Sequence, residues 1–277
     1  MPPPERRPRH PGRQGQPGRP DDRGRSATPR PRPQRGEEPV RRPRREDDDT
    51  RRPRMREPEL PPDLPFAELD RAAKSELRSL PESLAEKVSS HLVAAGLLLD
   101  DDAERAHLHA TYARSLAPRL AVVREAAGLT AYRTGDYAGA LAELRAVRRM
   151  TGDPSHLPIL ADAERGLGRP DRALAYGKDP DLAKLDPGAR VELAIVLSGA
   201  RRDRLEYDAA VVSLQGSALD SDQLQPWTPR LWYAYAEALL GAGRQDEALK
   251  WFESVAAIDE EGETDADDRI AELSRPH

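Results

Sequence analysis

The 277-residue sequence has no cysteine, which excludes a disulfide framework, a thiolate zinc site and a cysteine nucleophile. Its net charge of −5 conceals two opposed segments: residues 1–56 hold 18 Arg, 13 Pro and 9 acidic residues (net +9), and the remainder sets 26 basic against 40 acidic residues (net −14). The longest apolar run, Leu92 to Leu99, is far short of the roughly 20 residues of a spanning helix, and no apolar stretch follows the N-terminal positive charge. Neither a membrane span nor a secretory signal is therefore expected, and the protein reads as cytoplasmic. Arg outnumbers Lys 39 to 5 and Asn is absent, a usage that points to a GC-rich bacterial genome.

Residues 1–62 contain too little apolar surface to offset the entropy of ordering, and alternation such as Pro29-Arg-Pro-Arg-Pro33 favours extended, solvated backbone. A disordered Arg/Pro-rich tail is expected there, bordered by Pro61, Pro62 and Pro65. From residue 63 to residue 277 the chain changes to helical periodicity rich in Ala, Leu, Glu and Arg, without the strict alternation of strands. A first helix is expected over 66–79. Breaks then fall at Asp100–Asp102, Gly135-Asp136, Gly152-Asp-Pro154, Gly168-Arg-Pro170, Asp186-Pro-Gly188 and Gly241-Ala-Gly243, each a helix stop or start between short amphipathic runs. A last helix is expected over Asp265–Leu273. The two flanking helices would cover the apolar faces left open at the ends of a stack.

The runs repeat. Aligned on one small residue, Ala106, Ala140, Ala173, Ala210 and Ala248 lie 34, 33, 37 and 38 residues apart. Five residues before three of them stands a glycine (Gly135, Gly168, Gly243), and twelve before lies a second small residue (Ala94, Gly128, Ala161, Ala236). Antiparallel helices approach closely only where side chains are small, and glycine lets the chain reverse in a short turn. Larger residues flank the crossing at helical spacing, as Trp232, Tyr235, Ala236 and Leu239 do before Ala248, Phe252 and Val255.

These positions resemble the tetratricopeptide repeat. The likeness is carried best by Trp232, Tyr235-Ala236, Leu239, Gly243, Ala248 and Phe252, and next by Ala127-Gly128, Ala131, Gly135, Tyr137, Ala140 and Leu144. The resemblance implies an all-α fold, an α-solenoid of about five helical hairpins over residues 87–120, 121–154, 155–186, 187–228 and 229–258. Two repeats depart from the pattern. The third has Gly177 at the aromatic position and Pro180 soon after, so its second helix should be short. The fourth carries about three extra residues within Gly199-Ala-Arg-Arg-Asp-Arg-Leu-Glu206.

Repeats of this kind resemble scaffolds whose concave surface, lined by first helices, receives a partner peptide or helix. Projected onto this chain, that surface takes Glu125, Leu129, Tyr132, Arg133, Asp162, Arg165, Tyr233 and Glu237, a mixture of planar and charged groups suited to an interface. Each of them also reads as an ordinary solvated or inter-repeat residue. The Lys/Asn clamp of chaperone-tail binders is not reproduced: the corresponding positions read His91, Glu125, Pro158, Tyr233 and Ala95, Leu129, Asp162, Glu237. Arg201, Arg202 and Arg204 form the most basic spot of the body, suited either to an anionic group or to neighbouring carboxylates in a long turn.

No catalytic pattern emerges. His107 and His109 stand two apart on a helix and face apart, and the remaining histidines are scattered. Asp100-Asp-Asp102 reads as a helix start, the acidic stretch from Asp259 lacks calcium-loop spacing, and there is neither a phosphate loop nor a nucleophile elbow. No enzyme activity, cofactor or metal is expected. A protein partner is the first reading; the second is nucleic acid held by tail residues such as Arg41, Arg42, Arg44, Arg45, Arg51 and Arg52, with strong salt dependence. A third has the basic tail fold back on the acidic body.

Overall fold

The structure, a computed structural model, describes residues 55–62, 64, 69, 71–216, 219 and 223–275. The chain divides into two units, Met1–Arg52 and Pro53–His277, and the description below is of the second. The expected disorder of the tail, up to residue 54, and all six of its named arginines lie outside the described residues.

Among the described residues there are twelve α-helices and no strand. A short helix α1 (Arg71–Leu77) precedes five hairpins: α2 (Glu82–Leu98) with α3 (Ala103–Leu116), α4 (Ala121–Arg133) with α5 (Tyr137–Thr151), α6 (Leu157–Gly166) with α7 (Pro170–Ala175), α8 (Pro187–Asp203) with α9 (Tyr207–Leu214), and α10 (Thr228–Gly241) with α11 (Gln245–Ala256). Helix α12 (Ala266–Leu273) closes the C-terminal end, where Ile270 and Leu273 pack on the core of the last hairpin. The fold is the α-solenoid that the repeat implies.

The five aligned alanines, Ala106, Ala140, Ala173, Ala210 and Ala248, are all fully buried, as are Ala94, Ala161 and Ala236 opposite them. Around each crossing larger apolar side chains interlock: Leu141, Leu144, Leu157 and Leu160 in the middle of the stack, and Leu231, Leu239, Phe252 and Val255 at its C-terminal end. Hairpins two, three and five turn through a glycine in the left-handed region, Gly135 (φ 79°), Gly168 (φ 69°) and Gly243 (φ 75°). In the fourth hairpin the same place, five residues before Ala210, is held by Leu205 at φ 62°.

Aspartate side chains start three of these helices: Asp102 accepts from the Arg105 N–H at 3.0 Å, Asp136 from Gly139 at 2.9 Å and Asp186 from Ala189 at 3.0 Å. Capping thus explains Asp102, whereas Asp100 pairs with Arg133. Helix α4 has no cap of its own. Glu76 of α1 reaches across instead, and its Oε2 accepts from the N–H groups of Ala121 (2.6 Å) and Val122 (3.3 Å). The leading helix therefore packs on both α2 and α4.

Helix α7 is short, as Gly177 and Pro180 imply; it runs into 3-10 turns at Tyr176–Lys178 and Leu182–Lys184. A side chain at Gly177 would meet Leu197 of α8, its Cβ lying 2.9 Å from Leu197 Cδ1. The extra residues of the fourth repeat do not form a long turn. Gly199 to Asp203 lie inside α8, which extends to 17 residues, and Arg204 to Glu206 make a short reversal.

Residues 55–62 run without regular structure, and Glu57 is bound to the first hairpin: its carboxylate meets Lys87 Nζ at 2.6 Å and accepts from the Tyr112 hydroxyl at 3.2 Å. At least one residue before the expected border at Pro61–Pro62 thus belongs to the packed body.

Candidate partner-binding face

Side chains on the first helices α4, α6, α8 and α10 meet partners one repeat away. Arg133 pairs with Asp100, 33 residues back. The Tyr132 hydroxyl donates to Asp162 at 2.6 Å, and Arg165 donates to Asp162 (2.9 Å) and to Asp203 (2.8 Å). Further along, Arg202 pairs with Glu237 and the Tyr233 hydroxyl donates to Asp265. Apart from Arg165–Asp162, which lies within α6, each link spans between 30 and 38 residues, one repeat, so the charges form a ladder from α4 to α12.

Burial sets the electrostatics. Glu237 is 7% exposed and sits between Arg202 and Arg269, the latter at 3.0 Å. Desolvation, reinforced by the Asp162 carboxylate, lifts the Tyr132 hydroxyl well above the usual tyrosine range. Burial likewise pushes Tyr233 up to about 12, with Arg269 opposing and Asp265 adding to the shift. Both phenols are therefore neutral donors at physiological pH.

Between α8, α10 and the loop leading into α12 lies a cleft of about 490 Å³, lined by Arg165, Arg202, Arg230, Tyr233, Ala234 and Asp265 among others. Arg230 is held by Glu192 (2.6 Å) and Glu263 (2.9 Å), so three guanidinium groups and a phenol line one opening in fixed orientations. Gly199 makes room for one of them. A Cβ there would lie 2.7 Å from Arg165 Cζ, so the absence of a side chain lets that guanidinium rest on α8.

Of the eight residues selected from the sequence, Tyr132, Asp162 and Arg165 form one network, and Arg165 and Tyr233 line the cleft. Glu237 is tied to the cleft through Arg202. Glu125 stands apart, accepting from His156 at 3.0 Å; Leu129 packs among Leu141, Leu144 and their neighbours; Arg133 is engaged with Asp100. The basic spot is divided. Arg202 joins the cleft, whereas Arg201 and Arg204 pair with Glu206, and Arg204 also with Asp171.

Sequence reasoning missed Arg202 and Gly199 as parts of this site because it placed the fourth repeat's extra residues in a turn, and missed Arg230, whose partners Glu192 and Glu263 lie 38 and 33 residues away. It also missed that His91 and His109 meet. The two stand three residues outside the small pair Ala94 and Ala106, the next contact along the same helix crossing, and both are buried. Their Nδ1 atoms lie 2.9 Å apart. His107 bonds Thr130 instead, at 3.0 Å.

Among the described residues no group of three or more His, Asp or Glu side chains is arranged to hold a metal ion, and no helix is long and apolar enough to cross a membrane. Comparison with protein families matches the tetratricopeptide repeat to residues 125–187 and 200–263, which takes in parts of the second to fifth hairpins. No curated protein matches the chain.

Proposed function

Because the chain belongs to the tetratricopeptide repeat family, whose members commonly mediate contacts between proteins, we propose that it is a non-catalytic scaffold receiving a partner's peptide or helix on the face of its first helices. The cleft of Arg165, Arg202, Arg230 and Tyr233 is the anchoring point. One observation supports this above the others: the cleft's cations and phenol are already fixed by carboxylates of neighbouring repeats, so binding there orders little that is not ordered beforehand. Arginine and tyrosine are also the side chains over-represented among residues that dominate binding energy.

The test is a photo-cross-linking residue placed at Ala234 in the full chain and, as control, at exposed Glu253 on α11. A partner captured from Ala234 alone, with capture falling about 30-fold in the Arg230→Ala, Tyr233→Ala double variant, supports the reading; that factor matches a loss of ~2 kcal/mol. Equal capture from both positions, indifferent to the double variant, refutes it.

A second reading rests on the +9 charge of residues 1–56: attachment to nucleic acid through Arg41, Arg42, Arg44, Arg45, Arg51 and Arg52. Against it stand the absence of any aromatic residue in that segment and the acidic interruptions at Asp21-Asp22, Glu37-Glu38 and Glu46–Asp49. Capture abolished by nuclease favours this reading over the first.

A further inference from the structure

The guanidinium groups of the partner-binding cleft are already engaged. Arg165 donates from all three of its nitrogens, Nη1 to Asp162 and Nε with Nη2 to Asp203. Arg230 does the same, Nε with Nη2 to Glu192 and Nη1 to Glu263. Arg202 pairs with the buried Glu237, which Arg269 also meets at 3.0 Å. An anionic group entering the cleft would exchange one ion pair for another and leave a displaced carboxylate behind, with little net gain.

Negative charge is in surplus there. The three arginines pair with five carboxylates, Asp162, Asp203, Glu192, Glu237 and Glu263, and the acids still outnumber the bases when Arg269 is counted at Glu237. Asp265 lines the cleft as a further acid. Glu263 receives Arg230 on Oε2, and Asp265 receives the Tyr233 hydroxyl on Oδ1. Among the described residues no hydrogen bond reaches Glu263 Oε1 or Asp265 Oδ2, and the two side chains are 34% and 54% exposed. Ile195 and Ala234 add apolar surface to the same lining. A lysine or arginine side chain is divided in the same way, into an aliphatic stem and a charged head.

We propose that the partner segment taken by this cleft is basic: the stem of a lysine or arginine lies against Ile195 and Ala234, and its head is bound by Glu263 and Asp265. The inference rests on the reading of the cleft as the anchoring point and adds the chemistry of what it anchors. The net charge of −14 on residues 57–277 acts in the same direction at longer range, drawing a basic segment toward the repeats. Arg202 donates to Glu237 from Nη2 and keeps its other N–H groups for a main-chain carbonyl of the same segment.

The test titrates the full chain into a short fluorescent peptide of alternating arginine and alanine, followed by anisotropy at about 100 mM salt. The double variant Glu263→Gln, Asp265→Asn removes both carboxylate charges and keeps an acceptor oxygen at each position. Asp246→Asn, Glu253→Gln, both exposed on α11, makes the same change of net charge outside the cleft lining. The expected result is binding that weakens about tenfold in the first double variant and less than about twofold in the second. Should the first not reach the parent ellipticity, Glu263→Gln alone carries the comparison, with an expected loss of about threefold. Equal weakening in both double variants, or no binding of the peptide, overturns the inference. So does a peptide of alternating glutamate and alanine whose binding falls in Arg230→Ala, Tyr233→Ala; that result keeps the cleft as the anchoring point and reverses only the charge of its partner. The anchoring reading itself fails separately, on the capture from Ala234, which does not depend on the partner's charge.

Discussion

Leu205 stands in the left-handed region, at the place where three other hairpins have glycine. An L residue there brings its Cβ against the following carbonyl, at a cost of roughly 1–2 kcal/mol that glycine escapes. The Leu205 side chain is 71% exposed, so removing it forfeits little burial. Glycine gives back about 0.5–1 kcal/mol through the greater freedom of the unfolded chain. Leu205→Gly is therefore expected to stabilise the protein by about 0.5–1 kcal/mol, or ~1–4 °C in Tm for a body of this size. Gly243→Ala supplies the mirror experiment. A Cβ on Gly243 meets nothing within 4 Å, so its φ of 75° alone sets the penalty, and a loss of about 1 kcal/mol is expected. Urea unfolding followed by circular dichroism, with midpoints compared at equal slope, measures both. A Leu205→Gly protein no more stable than its parent, beside a Gly243→Ala protein that loses stability, would refute the claim that the fourth turn is strained.

Phe252 is wholly buried among the last hairpin's core residues, and Phe252→Ala should cost about 3–5 kcal/mol in urea unfolding. Glu76→Ala removes the side-chain acceptor that caps α4 and should cost about 1 kcal/mol, with faster amide exchange at Ala121 and Val122 by NMR. Because burial lowers the pKa of His91 and His109, the unfolded chain binds more protons than the folded one below pH 6.5. Stability is therefore complete above that pH and falls as pH drops from 6.5 toward the folded values; urea midpoints across this range should slope less in His109→Gln. Gly199→Ala should leave stability unchanged or raise it by up to ~1 kcal/mol through helix propensity, yet displace the Arg165 guanidinium and weaken capture through the cleft.

The repeat was legible because its signal is steric and local. A small residue at each helix crossing recurs at nearly constant spacing, and every alanine picked out that way is fully buried. Turn positions were legible where glycine marks them and hidden where Leu205 stands in the same conformation. The fourth repeat misled because added residues in a polar stretch resemble a loop, whereas Gly199 to Asp203 lengthen α8 and carry Arg202 into the cleft. Pairings across repeats, such as Arg230 with Glu192 and Glu263, depend on the stacking angle between helices and leave no local trace. The histidine pair was readable in principle from its symmetry about Ala94 and Ala106, but two rings 18 residues apart carry no pattern until the crossing is known.

The rungs that join one first helix to the next have a consequence for how such a chain can change in evolution. Tyr132 needs the Asp162 of the following repeat, and Arg165 needs the Asp203 of the one after. Excising residues 155–186 as a unit would keep the helical register but leave Tyr132 without its acceptor and Asp203 without its cation. The hairpins are therefore not interchangeable parts. Each is keyed to its neighbours, and duplication or loss of one demands matched substitutions on both sides, so the number and order of repeats are fixed more firmly than their shared backbone would require.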